Sequence, residues 1–359
     1  MRAGRYYGPG DIRVDDIPSP VPKSGQVKVK VMPVPPNGIC GSDLHAYVTR
    51  VPGYPSNEPH RTTGETAPVT LGHEFSGTIV DVGPGVDATK WALGTDVAIE
   101  PIFGCSKGDC FPCSNGTCNI CPRGGFIGIS GWGGGLSEYI AVDLRYVHIL
   151  PKEVSLEVGA CIEPLAVAYY AVKRSGFTAG QTVLVVGAGP IGLFLLKVLR
   201  SIDPTGTIIV SEPAAIRREF ALEHGATHVI DPKAEQVPSA VKRTIAPGVH
   251  LAFDAAGIQA SLDACLDSLR QRGTYVNVAI WETKATLDVN LILAKELLFT
   301  GTLGYDRIHP EVIALVAAGK ITGIEKLITR RISLDDVVED GFKRLLNEKE
   351  KHVKILVHP

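Results

Sequence analysis

The stretch "TVLVVGAGPIGLFLLKVLRS" (182–201) decides the fold of the middle of the chain. Its apolar start predicts a buried strand, its glycines a tight turn, and its apolar continuation a helix. The turn has the spacing GxGxxG, in which glycines let the backbone approach a pyrophosphate at the helix N-terminus. Between a strand and a helix, the motif favours a dinucleotide site over a turn in a nucleotide-free domain. The turn residues expected to bind are Gly187, Gly189, Pro190, Ile191 and Gly192.

A carboxylate ends the next predicted strand, "TIIVSE" (207–212). Glu212 lies twenty positions after Gly192, where an acidic side chain binds the ribose hydroxyls and repels a 2′-phosphate. Glu212 therefore favours NAD over NADP, although a solvated strand end would also account for it. Arg217 and Arg218 oppose this preference, because either guanidinium could meet a phosphate. The alternative for these arginines is an exposed position on the following helix.

The sequence on either side of this stretch predicts two domains. Residues 156–299 alternate short apolar strands with helices, which predicts a Rossmann domain with a doubly wound parallel sheet. Residues 1–155 are rich in glycine and proline, with short apolar runs at 77–83 and 96–101 that predict a β-rich, barrel-like domain. The segment from about 300 to 359 is expected to return to this first domain. The predicted fold class is therefore α/β.

Composition excludes several classes of partner. The apolar content of 45% and the charged content of 21% are typical of a folded globular protein. A formal net charge of −2 gives no reason to expect nucleic acid or an anionic membrane as partner. The N-terminal residues lack the apolar core of a signal peptide, and the uncharged run at 183–196 is too short to span a bilayer. These features predict a cytoplasmic protein.

Five of the eight cysteines fall in "CSKGDCFPCSNGTCNIC" (105–121). Without a secretion signal, clustered cysteines favour metal binding over disulfides. Four thiolates would close a tetrahedral zinc site that leaves no position for substrate, so this zinc would be structural. The predicted ligands are Cys105, Cys110, Cys113 and Cys121. Cys118 is either a replacement for Cys121 or a plain buried thiol.

Two further stretches combine metal-ligating residue types, "NGICGSDLH" (37–45) and "LGHEFSG" (71–77). The first holds a cysteine, a small hydroxyl, a carboxylate and a histidine within six residues, and the second holds a histidine next to a glutamate. Taken alone, Cys40 and His73 are more often a buried apolar thiol and a satisfied core histidine. The two stretches therefore need the context of the whole chain.

The context of the whole chain is a resemblance to a known family of enzymes. "GICGSDLH", "GHEFSG", the cysteine lobe, "EPLAVA" (163–168) and the glycine-rich turn occur in the order found in the zinc-containing medium-chain alcohol and polyol dehydrogenases. The chain resembles this family from end to end, and is most similar to its branch of (R,R)-butanediol dehydrogenases, near the sorbitol dehydrogenases. The resemblance implies a GroES-like catalytic domain beside the Rossmann domain. The Cys105–Cys110 interval is two residues longer than is usual in the family, whereas the Cys113–Cys121 interval fits and favours Cys121 over Cys118.

The resemblance also implies roles for individual residues. Cys40 and His73 would ligate a catalytic zinc, with either Glu74 or Glu163 as the third protein ligand. Ser42 would be the first hydroxyl of a proton relay. His45 is a plausible next carrier. We assign Glu74, Ser42 and His45 to catalysis.

The implied cofactors are NAD and two zinc ions per chain, one catalytic and one structural. The implied substrate is a vicinal diol or its hydroxyketone, and the implied assembly is a homodimer or homotetramer. A polyol dehydrogenase of the sorbitol or xylitol type is the close alternative. A non-catalytic NAD-binding protein is the remote one.

Overall fold

The computed structural model describes residues 1–31, 37–49, 53–55 and 57–358. The chain divides into two compact units. The first, which we call the catalytic unit, comprises Met1–Glu163, Asp306–Ala318 and Glu325–Pro359. The second, the nucleotide unit, comprises Pro164–Tyr305 and Gly319–Ile324.

The strands are, in chain order, β1 (Arg2–Gly8), β2 (Asp11–Asp16), β3 (Gln26–Lys30), β4 (Asn37–Gly38), β5 (Val69–Thr70), β6 (Glu74–Val82), β7 (Asp96–Ile99), β8 (Ile102–Phe103), β9 (Gly125–Phe126), β10 (Tyr139–Asp143), β11 (Val147–Ile149), β12 (Val183–Val186), β13 (Ile208–Ser211), β14 (His228–Ile230), β15 (Val249–Asp254), β16 (Leu269–Asn277), β17 (Leu298–Gly301), β18 (Ile328–Ser333) and β19 (Lys354–His358).

The α-helices are α1 (Gly41–Val48), α2 (Phe111–Ser114), α3 (Leu156–Ala160), α4 (Ile162–Ser175), α5 (Pro190–Ile202), α6 (Ala215–Glu223), α7 (Val237–Thr244), α8 (Gln259–Ser268), α9 (Val289–Lys295), α10 (His309–Ala317) and α11 (Arg344–Asn347). Single turns of 3-10 helix cover Cys118–Ile120, Leu144–Tyr146 and Glu325–Leu327, and a π-helix covers Val337–Lys343. In the part of the chain that the structure describes, no helix combines the length and the apolar character needed to cross a membrane.

The nucleotide unit is built on a six-stranded parallel sheet with the order β14-β13-β12-β15-β16-β17. Its central strand β12 is buried along its whole length, which explains the unbroken run "VLVV". The strand order reverses direction between β12 and β15, and ligands of such sheets bind outside the carboxyl ends of the strands at this point. The predicted doubly wound Rossmann sheet is thus confirmed, with the glycine-rich turn at the reversal.

The catalytic unit is β-rich, as predicted, and its main sheet runs β10-β3-β6-β4-β19-β18. The short strand β4 lies between two strands from distant parts of the chain. Gly38 of β4 pairs with Glu74 of β6 on one side and with Leu356 of β19 on the other. The C-terminal strand therefore lies one strand away from the start of β6, and this register positions the candidate site.

Candidate active site and metal centres

Cys40, His73 and Glu74 come together at the start of two elements. Cys40 is the N-cap of α1, Glu74 is the first residue of β6, and His73 comes directly before it. The sulfur, an imidazole nitrogen and a carboxylate oxygen of these residues all lie within 4.8 Å of one another. His73 and Glu74 are buried and Cys40 is partly buried. This donor set suits a zinc ion, which binds thiolate, imidazole and carboxylate and keeps a fourth position open in catalytic sites.

The sequence stretch "CGSD" fixes the orientation of this group. Asp43 is the third residue of α1, and its Oδ2 accepts a hydrogen bond from the Cys40 backbone N–H at 3.1 Å, as in a capping box. Its Oδ1 faces His73 Nδ1 at 3.5 Å, so His73 Nε2 is the nitrogen left for a metal. Ser42 Oγ lies 3.3 Å from that Nε2. Histidines that bind metal are commonly held in this way by a carboxylate on their other nitrogen.

The electrostatics of the group favour a cation. Burial alone would lower the pKa of His73, but the negative charges of Asp43 and Cys40 outweigh it and raise that pKa well above its usual value. Burial and the Glu74 carboxylate raise the pKa of the Cys40 thiol. The site therefore holds a proton strongly when no other cation shares it. A divalent ion would displace that proton, as expected where metal binding is coupled to deprotonation of the ligands.

Lys354 is the site residue that sequence reasoning missed. It is the first residue of β19, is 1% exposed, and donates hydrogen bonds to the Glu74 carboxylate and to the Ile39 carbonyl, the latter at 3.2 Å. Burial lowers the pKa of Lys354, but the charges of Glu74 and Cys40 outweigh this and raise it overall. Gly38 makes room, since a Cβ there would collide with the Glu74 carboxylate. A single charge inside the apolar run "VKILV" (353–357) was the available signal.

The two candidate third ligands, Glu74 and Glu163, differ in their position relative to Cys40 and His73. Glu163 is buried near the start of α4, yet among the described residues only Glu74 joins Cys40 and His73 in a group with metal-binding distances. His45 follows Ser42 by three positions on α1, so the two side chains occupy neighbouring positions on one helix face. Burial raises the pKa of the nearby Cys161 thiol to about 12, which disfavours it as a thiolate ligand.

The cysteine lobe forms a second group. The sulfur atoms of Cys105, Cys110, Cys113 and Cys121 lie within 4.8 Å of one another, and among the described residues Cys118 is not a member. The Cys105–Cys113 and Cys110–Cys121 sulfur distances are 3.9 Å and 3.6 Å, far longer than a disulfide bond. Four sulfurs at about 2.3 Å from a tetrahedral zinc would be about 3.8 Å apart. The lobe therefore has the dimensions of a four-sulfur zinc site.

The charge state of the lobe also suits a metal. The backbone N–H of Cys113 and the Arg123 guanidinium lower the pKa of Cys110, against the effect of burial, to about 6. Arg123 also donates a hydrogen bond to Asp109 at 2.7 Å. A lowered pKa of this kind favours the thiolate form of Cys110, which is the form that binds zinc.

The glycine-rich turn shows why glycine is needed at its ends. Gly187 has a φ of +97°, and a Cβ on Gly192 would collide with the Gly187 carbonyl oxygen. Gly189 is the N-cap of α5 and Pro190 its first residue, where proline suits a helix start. Ile191 follows within the first turn of α5. A helix N-terminus that follows a glycine-rich turn is suited to bind a phosphate.

Glu212 lies against the same turn. Its Oε2 accepts a hydrogen bond from the Ala188 N–H at 2.8 Å and its Oε1 from the Ala214 N–H at 2.9 Å. The two arginines of α6 differ in position. Arg218 pairs with Asp231 at 3.1 Å, whereas a Cβ on Gly189 would lie 3.8 Å from a guanidinium nitrogen of Arg217. Arg217 is thus the arginine nearer to the expected pyrophosphate.

Comparison with known proteins identifies the family. The model of the alcohol dehydrogenase GroES-like domain matches residues 23–152, and the model of the zinc-binding dehydrogenases matches residues 190–318. The chain belongs to the zinc-binding alcohol dehydrogenase family. It is an oxidoreductase of this family, and the resemblance inferred from its motifs is confirmed.

Full-length relatives narrow the place of the chain within the zinc-binding alcohol dehydrogenases. The chain is 41% identical over 359 residues to an (R,R)-butanediol dehydrogenase of Bacillus subtilis (strain 168), with 100% of both chains covered. It is 41% identical over 364 residues to an (R,R)-butanediol dehydrogenase of Neisseria gonorrhoeae, covering 100% of this chain and 99% of the relative. The crystal structure of 2R,3R-butanediol dehydrogenase from Bacillus subtilis has a TM-score of 0.91 at 40% identity, with 100% and 99% coverage.

Proposed function

We propose that this zinc-binding dehydrogenase uses NAD to interconvert a vicinal diol and its hydroxyketone, with (R,R)-2,3-butanediol and acetoin as the preferred pair. The observation that carries the proposal is the buried group of Cys40, His73 and Glu74 in a chain that matches butanediol dehydrogenases over its whole length. A vicinal diol suits such a site because its second oxygen can approach the open position of the metal or the carboxylate. The thiolates of both groups require a reducing compartment, which supports a cytoplasmic location.

Each residue of the site has a part in this reaction. Cys40, His73 and Glu74 would hold the catalytic zinc, while the four cysteines of the lobe would hold the structural one. When bound, the zinc would supply Lewis acidity at the alcohol oxygen, and NAD would supply the acceptor for the hydride of the adjacent carbon. Ser42 Oγ, which lies beside His73 Nε2, would accept the proton of the substrate hydroxyl while it releases its own hydroxyl proton to the next carrier. His45, on the same helix face, passes that proton towards solvent.

Substrate preference tests the proposal. Initial rates with NAD are measured for (R,R)-2,3-butanediol, sorbitol, xylitol and a monohydric secondary alcohol. We expect the highest kcat/KM for the butanediol, and acetoin reduction by NADH as the reverse reaction. A preference for sorbitol or xylitol would instead place the chain among the polyol dehydrogenases. No oxidation of any alcohol by a protein that still binds NAD would favour a non-catalytic role.

Glu212 is proposed to set the choice of NAD over NADP. The Glu212→Gln variant keeps the shape of the side chain but removes the charge that would repel a 2′-phosphate. The charge is worth on the order of 1 kcal/mol across a few ångströms of water, so we expect the ratio of kcat/KM for NAD to that for NADP to fall about fivefold. Glu219→Gln on the exposed side of α6 is the matched control. An unchanged ratio in Glu212→Gln, or a wild-type preference for NADP, would contradict this assignment.

The chain is also proposed to form a homo-oligomer through the edge of its parallel sheet. The edge strand β17 exposes Leu298 at 65% and Phe299 at 47%, and nearby Leu293 and Leu303 are 76% and 50% exposed. An apolar edge strand of this kind invites pairing with another chain. A second copy of this chain would cover it by edge-to-edge pairing. This interface alone gives a dimer, and a tetramer would need a second interface.

Association can be tested by charging this edge. Sedimentation velocity is expected to show an oligomer for the wild type and a shift towards monomer for Leu298→Lys, because a buried, unpaired ammonium opposes association. Val21→Lys is the control, since Val21 is 80% exposed but belongs to the catalytic unit. If the wild type sediments as a monomer, or if Leu298→Lys leaves the oligomer intact, the edge is not the interface.

A further inference from the structure

Tyr54 is a polar side chain near the metal-binding group to which the proposed reaction gives no role. It lies in the described residues 53–55, after α1 in the chain, and its hydroxyl donates a hydrogen bond to Asp43 Oδ1 at 3.1 Å. Its ring lies edge-on to Tyr6, with 5.6 Å between the ring centroids, and packs against the core that holds Ile39 and Ala46. The phenol is therefore fixed from behind while its hydroxyl reaches the carboxylate.

Asp43 is the link between Tyr54 and the metal-binding residues. The carboxylate is 1% exposed, and its polar contacts among the described residues include the Cys40 N–H, His73 Nδ1 and the Tyr54 hydroxyl. The first two belong to residues of the metal-binding group itself. Asp43 Oδ1 accepts the hydrogen bond from Tyr54 and also faces His73 Nδ1. A phenol that holds the plane of this carboxylate would therefore also hold the direction in which His73 Nε2 points.

The hydroxyl of Tyr54 is suited to act as a permanent donor. Burial, followed by the negative charges of Asp43 and Cys40, raises the pKa of Tyr54 well above its usual value, although a hydrogen bond with Ser42 acts in the opposite direction. The phenol therefore keeps its proton through the working range of pH. It donates that proton to Asp43 and offers its oxygen to Ser42, the proposed first relay hydroxyl.

We propose that Tyr54 is a positioning residue of the catalytic metal site, which acts through Asp43 on His73 and touches neither metal nor substrate. The proposal rests on the proposed zinc-dependent function. Carboxylates behind metal-bound histidines change metal affinity or activity about 10–100-fold when they are lost. Tyr54 stands one step further out, so its loss changes the affinity by a smaller factor, about 3- to 10-fold.

The Tyr54→Phe variant tests this with readouts other than turnover. It removes one hydroxyl and keeps the ring that packs on Tyr6. The affinity for the catalytic zinc is measured by competition with a chelator, and the visible spectrum of the cobalt-substituted protein reports the ligand geometry. Loss of the spectrum in Cys40→Ala identifies which band belongs to the catalytic site. We expect Tyr54→Phe to bind zinc about 3- to 10-fold more weakly and to shift the cobalt band.

Tyr6→Phe is the matched control, because it removes a hydroxyl from the same core, one that donates a hydrogen bond to the Ala46 carbonyl at 3.0 Å. It should leave zinc affinity and the cobalt band unchanged. A double-mutant cycle with Asp43→Ala gives the second measurement. If Tyr54 acts through Asp43, adding Tyr54→Phe to Asp43→Ala changes zinc affinity no further.

The outcomes separate this proposal from the proposed function. An unchanged zinc affinity and cobalt band in Tyr54→Phe would overturn the positioning role while leaving the zinc site intact. Equal weakening in Tyr54→Phe and Tyr6→Phe, or an additive effect in the Asp43→Ala background, would reduce Tyr54 to a structural residue. A wild-type metal content that Cys40→Ala does not alter would contradict the zinc site itself, and the positioning role with it.

Discussion

Replacing Cys40 by alanine is expected to remove the catalytic zinc and to lower kcat/KM towards the diol by at least about a thousandfold. Removing the thiolate takes away one of the three ligands in the buried group and the negative charge that offsets the ion. Loss of the zinc removes several kcal/mol of stabilisation from the charge that develops on the substrate oxygen, and about 4 kcal/mol corresponds to a thousandfold. Metal analysis should find one zinc fewer per chain than in the wild type.

Cys118→Ala is the control for this prediction. Cys118 is also a partly buried cysteine, but among the described residues it belongs to neither metal-binding group. We expect it to retain both zinc ions and wild-type kinetics, whereas Cys121→Ala should lose the structural ion. Full zinc content and full activity in Cys40→Ala would show that the buried group is not the catalytic site.

Replacing Lys354 by methionine is expected to lower the free energy of unfolding by about 3–5 kcal/mol, because it leaves the Glu74 carboxylate buried without its partner. Both side chains are 1% exposed, so water cannot take the place of the ammonium. The loss should be greatest in the metal-depleted protein, since a bound zinc ion would also offset the charge of Glu74. Urea denaturation at fixed free zinc, and again with a chelator present, measures both values.

Two further variants serve as a rescue and as a control for the Lys354→Met prediction. The double variant Lys354→Met with Glu74→Gln should recover part of the stability, because it removes the uncompensated charge. Lys343→Met breaks an exposed pair with Glu339 on the surface and should change the stability far less. If Lys354→Met is as stable as Lys343→Met with and without zinc, the buried pair does not hold Glu74.

Local sequence patterns predict those parts of the structure whose geometry depends on residues close in the chain. Gly187 and Gly192 are five positions apart, and the steric need for glycine at both follows from one turn between a strand and a helix. The cysteine lobe is likewise formed by one short segment, so spacing indicated a four-sulfur site. The family resemblance, and not spacing alone, favoured Cys121 over Cys118 as its fourth ligand. Taken as isolated residues, Cys40 and His73 gave only weak evidence for metal binding. Their assignment as zinc ligands came from the order of the family motifs along the whole chain.

The sequence could not predict contacts between residues that are far apart in the chain. Burial does not decide between Glu74 and Glu163, because both carboxylates are buried. The choice depends on which of them the fold brings within ligand distance of Cys40 and His73. Lys354 comes within reach of Glu74 because β4 lies between β6 and β19, a pairing that joins positions 280 residues apart. No periodicity in either segment encodes that contact. Tyr54 was missed for the same reason, since its role depends on a hydrogen bond to Asp43 and not on any motif.

Removal and return of metal tests the central claim most directly. Purified protein is treated with a zinc chelator, freed of it by dialysis, and assayed with NAD and (R,R)-2,3-butanediol before and after zinc is added back. We expect activity to fall by at least about a hundredfold as the catalytic zinc leaves, and to return as one equivalent rebinds, since the Lewis acid supplies several kcal/mol to the reaction. Full activity in protein that contains no zinc would contradict the account.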